Sequence, residues 1–262
     1  MSEPGQIVFS DAHSYERFMG VWSRLVGEVF LDWLALKDGL RWADVGCGNG
    51  AFTDLLMKRC KPKQVSGIDP SPAQIEFAKA RMKDDVAEFE IGDAMALPYS
   101  DKSFDAAVMA LVLFFVPKPD IGLAEMIRVT EPGGTVAAYV WDLFGGGFPA
   151  EPVKSELEAR NFPYLLPPSA EISRLEPLRK LWIDAGLENV ETKVISVERT
   201  FRSFDEFWEI TRASPTLALV LPQMSAAEIE SIAASVRQNM PIAADGSITY
   251  ASRAHAVKGR VP

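Results

Sequence analysis

Cysteine and histidine are nearly absent: 262 residues hold two of each, Cys47 and Cys60, His13 and His255. Two cysteines make neither a disulfide framework nor a zinc-ligand spacing, and two histidines are too few for a histidine-based centre, so no metal is expected. Long apolar runs are also lacking. The longest, Ala106 to Val116, falls well short of the ~20 residues that span a bilayer. The opening Ser2-Glu3-Pro4-Gly5 has neither the basic nor the apolar stretch of a signal peptide. A cytoplasmic protein without membrane insertion is the expectation. Basic residues are the minority: 27 Lys and Arg against 36 Asp and Glu leave a formal charge of −9, with no Lys/Arg cluster. Phosphate backbones need a basic face, which argues against nucleic acid and for a small neutral or cationic substrate. Hydrophobic residues, at 48%, are enough for a full core.

What is present is a glycine-rich turn. Residues Asp44-Val45-Gly46-Cys47-Gly48-Asn49-Gly50 follow a strand-like lead-in (Leu40, Trp42, Ala43) and precede a helical pattern (Ala51, Phe52, Leu55, Leu56). A strand that stops at three close glycines and restarts as a helix brings backbone up to a ligand. Gly46, Gly48 and Ala51 also fit the dinucleotide fingerprint, and Asp69 stands about where a dehydrogenase places its ribose-binding acid. Asp44, two residues before the first glycine, points the other way: a carboxylate there favours a cation and repels a pyrophosphate.

Asp44 to Gly50, Gly67-Ile68-Asp69-Pro70-Ser71, Gly92-Asp93-Ala94, Leu97-Pro98 and Glu131-Pro132-Gly133-Gly134 together resemble the class I S-adenosylmethionine-dependent methyltransferases. The small-molecule members similar to the ubiquinone/menaquinone C-methyltransferases are nearest in pattern. Tyr15 to Arg24 and Tyr139-Val140-Trp141-Asp142 are similar to a methyltransferase subgroup. The resemblance spans about 40–142. It implies S-adenosyl-L-methionine as cofactor, with Gly46, Cys47 and Gly48 at its methionine part, Asp44 also among the cofactor-binding residues, and Asp69 on both ribose hydroxyls. It also implies Pro70 and Gln74 beside the adenosine, Asp93 and Ala94 at the adenine, and Leu111 near the methyl-donor end. Tyr15, Met19, Trp22 and Trp141 are expected to line the acceptor side.

Alternation of strands (41–46, 64–69, 86–91, 103–109, 134–141) with helices (50–60, 71–83, 118–130) predicts an α/β, doubly wound, mostly parallel sheet. The resemblance extends this to seven strands with an antiparallel last strand, the Rossmann-like methyltransferase fold. Residues 1–38 are expected to form an N-terminal lid helix, 39–142 the cofactor-binding core, and 143–170 an irregular lid or insertion. Residues 171–262 are expected to complete the sheet, with a helical insertion at about 203–241 read as two helices, 204–220 and 226–240.

No catalytic base stands out. His13, Tyr15 and Asp142 are the candidates: a histidine titrates near neutrality, and Asp142 follows a strand end, where such sheets carry functional groups. His255 alternates on what reads as an edge strand and is assigned a structural role. The expected function is methyl transfer to a small-molecule acceptor. The alternatives are a nucleotide-dependent oxidoreductase and a non-catalytic S-adenosylmethionine-binding protein. A homodimer is compatible with either kind of chain.

Overall fold

The computed structural model describes residues 16–82, 85–162 and 164–262. The chain divides into two compact units. The larger comprises Ser23–Gly145, Pro168–Ile195 and Ala254–Pro262, and the smaller Met1–Trp22, Gly146–Pro167 and Ser196–Arg253.

The strands are β1 (Arg41–Val45), β2 (Gln64–Asp69), β3 (Ala87–Ile91), β4 (Phe104–Ala110), β5 (Thr130–Trp141), β6 (Glu188–Phe201) and β7 (Ile248–Arg260). They form one sheet in the order β3-β2-β1-β4-β5-β7-β6. The pairs β1–β2, β1–β4, β2–β3 and β4–β5 are parallel, and β5–β7 is antiparallel. This is the α/β sheet expected from the alternation, with the seven strands and antiparallel last strand that the resemblance implies. Its order reverses between β1 and β4, which opens a crevice at their carboxyl ends. β4 reads as a continuous apolar run because Ala106, Ala107, Val108 and Met109 are all fully buried, as a strand covered on both faces must be.

The helices of the larger unit are α1 (Val21–Leu34, from Ser23 on), α2 (Ala51–Cys60), α3 (Pro72–Arg81), α4 (Pro119–Val129) and α6 (Leu175–Asp184). α3 begins with Ser71 as N-cap, its hydroxyl accepting from Gln74 N, and with Pro72 in the first turn; a missing N–H costs nothing there. Phe30 of α1 is fully buried between Tyr139 of β5 and Phe52 of α2, with ring centroids 4.7 and 6.2 Å away. Trp182 of α6 is buried and donates its indole N–H to Val136 O at 3.0 Å. Glu131-Pro132-Gly133-Gly134 turns the chain as expected, yet it does so inside β5. Phe104 pairs with Thr130 and Ala106 with Thr135, so the turn bulges out of a strand that has already begun pairing.

The smaller unit corrects two expectations. Within 143–170 the chain forms a helix, α5 (Glu151–Ala159), because Pro152 falls in the first turn, where proline is tolerated. The expected helix 204–220 is two, α7 (Phe204–Arg212) and α8 (Pro215–Val220). Ser214 takes ψ 147, the extended conformation forced on a residue before proline. α9 (Ala226–Asn239) carries a full capping box from Ser225 and Glu228. An aromatic cluster holds this unit together: Tyr250 stacks on Phe201 at 5.8 Å and meets Trp22 at 5.2 Å and Phe207 at 5.8 Å. The Arg199 guanidinium lies 4.4 Å over Phe201 and donates to Phe18 O at 2.9 Å.

Truncating Phe30 to alanine removes a fully buried ring from the contact between α1, α2 and β5 and is expected to destabilise the fold by about 3–5 kcal/mol, read as a lower midpoint of denaturant unfolding with an unchanged slope.

Candidate active site

The loop after β1 owes its shape to backbone constraints. Gly46 has φ 78 and Gly48 φ 52, conformations that side-chain-bearing residues rarely adopt. The two have different reasons to be glycine. A Cβ on Gly46 would lie 2.4 Å from Val112 Cγ1, on the segment after β4, whereas one on Gly48 would meet nothing within 4 Å. Gly46 is therefore a contact between the two strand ends that flank the crevice, and Gly48 borders open space. Gly46 N and Cys47 N donate to Ile68 O at 2.7 and 3.0 Å, tying the loop to β2. Asp69, the last residue of β2, ties it again: Oδ2 accepts from Gly48 N at 3.1 Å, and Oδ1 accepts from Ser71 N at 2.9 Å. Burial raises the Asp69 pKa against the pull of these two donors. Each oxygen keeps a further lone pair for a hydroxyl.

Asp44 is wholly buried at the end of β1. Its Oδ2 accepts from Thr53 Oγ1 at 2.5 Å, and its Oδ1 has no hydrogen-bond partner among the described residues. Burial pushes its pKa up to about 7, against the Thr53 hydrogen bond and with help from the Asp69 charge. A buried carboxylate with one unserved oxygen is a site for a cation or a proton. Thr53 was not visible in the sequence as a partner, because nothing local marks a threonine one turn into the following helix.

The remaining residues fall around the same strand ends. The Cys47 side chain points into a small core with Ile75, Ala78 and Phe89, where burial raises its thiol pKa, so it can meet a ligand only through its backbone. Pro70 is exposed in the turn after β2, and Gln74 is buried in the first turn of α3. Asp93 is exposed beyond β3; its Oδ1 accepts from Met95 N at 2.8 Å, with half-buried Ala94 between them. Leu111 is buried at the end of β4 with φ 63, and its N–H donates to Tyr139 O at 2.9 Å. A leucine in the left-handed region is strained by about 1–3 kcal/mol, a cost that concentrates at functional sites.

Asp142 is buried just past β5, and its Oδ1 accepts from Gly145 N at 2.7 Å. Trp141 beside it is fully buried. Met19 and Trp22 are buried in the smaller unit. His13 and Tyr15 lie outside the described residues.

A doubly wound sheet with glycines after β1, and carboxylates at the ends of β1, β2 and β3, defines an α/β enzyme that binds a cationic nucleoside at its strand ends. The comparisons with known proteins agree. The family profile described as "Methyltransferase domain" matches residues 43–138. A demethylmenaquinone methyltransferase of Renibacterium salmoninarum is 30% identical over 202 residues, 69% of this chain and 81% of that protein. A fatty-acid O-methyltransferase of Mycolicibacterium smegmatis is 36% identical over 97 residues, 37% of this chain and 35% of that protein. Among solved structures, phosphoethanolamine N-methyltransferase 2 of Haemonchus contortus, in complex with S-adenosyl-L-methionine, shares the fold. Its TM-score is 0.60 at 18% identity, over 95% of this chain and 56% of that one. The chain belongs to the S-adenosylmethionine-dependent methyltransferases, and S-adenosylmethionine is its cofactor. The residues fit that molecule, since the unserved oxygen of Asp44 suits a cation and the space beside Gly48 is open.

Two outcomes are expected. Gly46→Ala should lower both thermal stability and affinity for S-adenosylhomocysteine, and adding Val112→Gly should restore part of each by removing the clashing side chain, as scanning calorimetry and titration will show. Asp44 has a folded pKa above its unfolded value. It therefore contributes stability fully below about pH 4, and that stability is lost as pH rises toward about 7. Asp44→Asn should flatten this dependence, worth up to about 4 kcal/mol between those limits, in denaturation curves taken from pH 4 to 8.

Proposed function

We propose that this methyltransferase acts on a small, planar or lipophilic acceptor and holds its cofactor through residues 39–142. In this reading Asp69 takes the ribose hydroxyls, its two oxygens already oriented by Gly48 N and Ser71 N. The backbone at Gly46, Cys47 and Gly48 faces the methionine part, and Asp44 supplies the negative charge for its cationic groups. Pro70 and Gln74 flank the adenosine, Asp93 and Ala94 meet the adenine, and Leu111 lies toward the methyl donor. The chemistry the cofactor brings is an electrophilic methyl group on sulfur. The protein has only to align, exclude water and accept charge.

The observation that carries the cofactor assignment is the Asp69 carboxylate, set between two loops and able to accept two more hydrogen bonds. Support for a small-molecule acceptor comes from the demethylmenaquinone methyltransferase relative, which matches most of its own length, and from the acidic balance of the chain. The same balance supports a protein that does not use nucleic acid. No described helix is long and apolar enough to cross a membrane. On the acceptor side we assign Tyr15, Met19, Trp22 and Trp141.

Asp69→Ala is expected to weaken S-adenosylhomocysteine binding by about 100-fold, as loss of two charge-assisted hydrogen bonds implies, with Asp93→Ala costing nearer tenfold in the same calorimetric titration. The acceptor class is tested with methyl-labelled S-adenosylmethionine and three probes: a naphthoquinol, a long-chain fatty acid and phosphoethanolamine. Label on the naphthoquinol alone supports the proposal; label on phosphoethanolamine alone refutes a planar or lipophilic acceptor.

A further inference from the structure

Methyl transfer to oxygen, nitrogen or an acidic carbon leaves a proton to be removed, and the sequence offered no secure base for it. The topology supplies one. β7 is not the edge of the sheet: it lies between β5 and β6. His255 on β7 pairs with Val140 of β5, so its ring stands at the level where β5 ends, and it is buried there.

The ring's proton placement follows from its partners. Nδ1 lies 2.8 Å from Ser173 O. A carbonyl only accepts, so Nδ1 carries the hydrogen, and in the neutral ring Nε2 presents its lone pair. Nε2 in turn faces Asp142 Oδ2 at 3.8 Å, too long for a hydrogen bond yet close enough for a strong charge interaction once the ring is protonated. Asp142 is steadied through its other oxygen by Gly145 N. One nitrogen of this base is thus oriented by a carbonyl, and its proton-accepting nitrogen faces a carboxylate that can hold the imidazolium once it forms.

Its position is at the same end of the sheet as the site already described. Asp142 follows Trp141 at the carboxyl end of β5, and β5 lies beside β4 with Ala110 opposite Tyr139. The strained Leu111 at the end of β4 donates to Tyr139 O. Among the described residues, charged side chains on the neighbouring segments have partners of their own. On the turn Ala170–Ser173 and the residue after it, Glu171 and Arg174 pair with each other at 2.8 Å, and Arg174 lies 4.0 Å over Phe144. On β7, Arg253 stands two residues back, and Lys258 is held by Glu191 at 3.5 Å and lies over Trp33.

We infer that His255 and Asp142 form the proton-accepting pair for methyl transfer, with Ser173 as the positioning residue that sets the ring's tautomer. The inference rests on the proposed acceptor having an acidic proton. The acceptor's electron pair forms the new bond to the methyl carbon, while the carbon–sulfur pair stays on sulfur. The acceptor's proton passes to His255 Nε2, and the imidazolium is held by Asp142 until solvent removes the proton.

The test needs no acceptor. The chain has two histidines, so two-bond proton–nitrogen spectra show two rings, and His255→Gln assigns them. The wild type is titrated from pH 5 to 9 alone, with saturating S-adenosylhomocysteine, and with saturating S-adenosylmethionine. The neutral His255 ring should be the Nδ1–H tautomer. Its midpoint should fall by about half a unit or more in S-adenosylmethionine relative to S-adenosylhomocysteine, because only the sulfonium adds a positive charge near the ring. Asp142→Asn should lower the midpoint in all three states; should that variant not fold, the ligand comparison decides alone. Equal midpoints with the two bound ligands, or an Nε2–H tautomer, would overturn the inference and leave the cofactor assignment standing. Spectra unmoved by either ligand would overturn both.

Discussion

Two backbone N–H groups on different loops, Gly48 and Ser71, converge on the carboxylate of Asp69, and the ligand-facing geometry of the larger unit follows from that convergence. Glycine loops are conformationally permissive and would otherwise lose considerable entropy on ordering. Here the loop after β1 is held at Gly46 and Cys47 by Ile68 O and at Gly48 by Asp69, all from the neighbouring strand. The turn that starts α3 is fixed by the same side chain. In the proposed reading, a ribose diol would meet in Asp69 an acceptor whose orientation has been set before binding, which lowers the ordering cost of association.

The second constraint is charge. Asp44 feels the charge of Asp69 and is buried with one oxygen served by Thr53. Two carboxylates in a poorly solvated crevice disfavour ionisation, and a proton is the cheapest relief in the free protein. A cationic ligand relieves the same strain without the proton. A carboxylate at the position of Asp44 would resist a pyrophosphate at the same loop.

The parts legible in the sequence were those governed by local chemistry. Strand–helix alternation, the Ser71-Pro72 start of α3 and the Asp69 turn depend on neighbours within a few residues, and each reads directly from the chain. The parts that were not legible depend on distant partners. Gly46 needs to be glycine because of Val112, and Asp44 finds its donor in Thr53. Cys47 turns its side chain away from the loop because Ile75, Ala78 and Phe89 offer an apolar place for it. Two errors had a local cause read in the wrong direction. The glycines at 145–147 and the prolines at 163, 167 and 168 read as irregular chain, yet Glu151–Ala159 between them is helical, and Pro215 interrupts an apolar periodicity that reads as continuous.

His255 shows how topology changes the meaning of a residue. Alternation along 247–257 reads as a closing edge strand, on which the histidine is assigned a structural role. The chain instead places β7 inside the sheet, antiparallel to β5 and ahead of β6 in spatial order. An antiparallel neighbour runs back past the carboxyl end of a parallel strand, so residues from its middle arrive beside the functional edge. That is how residue 255 comes to face Asp142. Parallel strands contribute to such an edge only through the loops that follow them. The one antiparallel insertion contributes a rigid side chain from within a strand, and rigidity is what a group taking a proton from a bound acceptor requires.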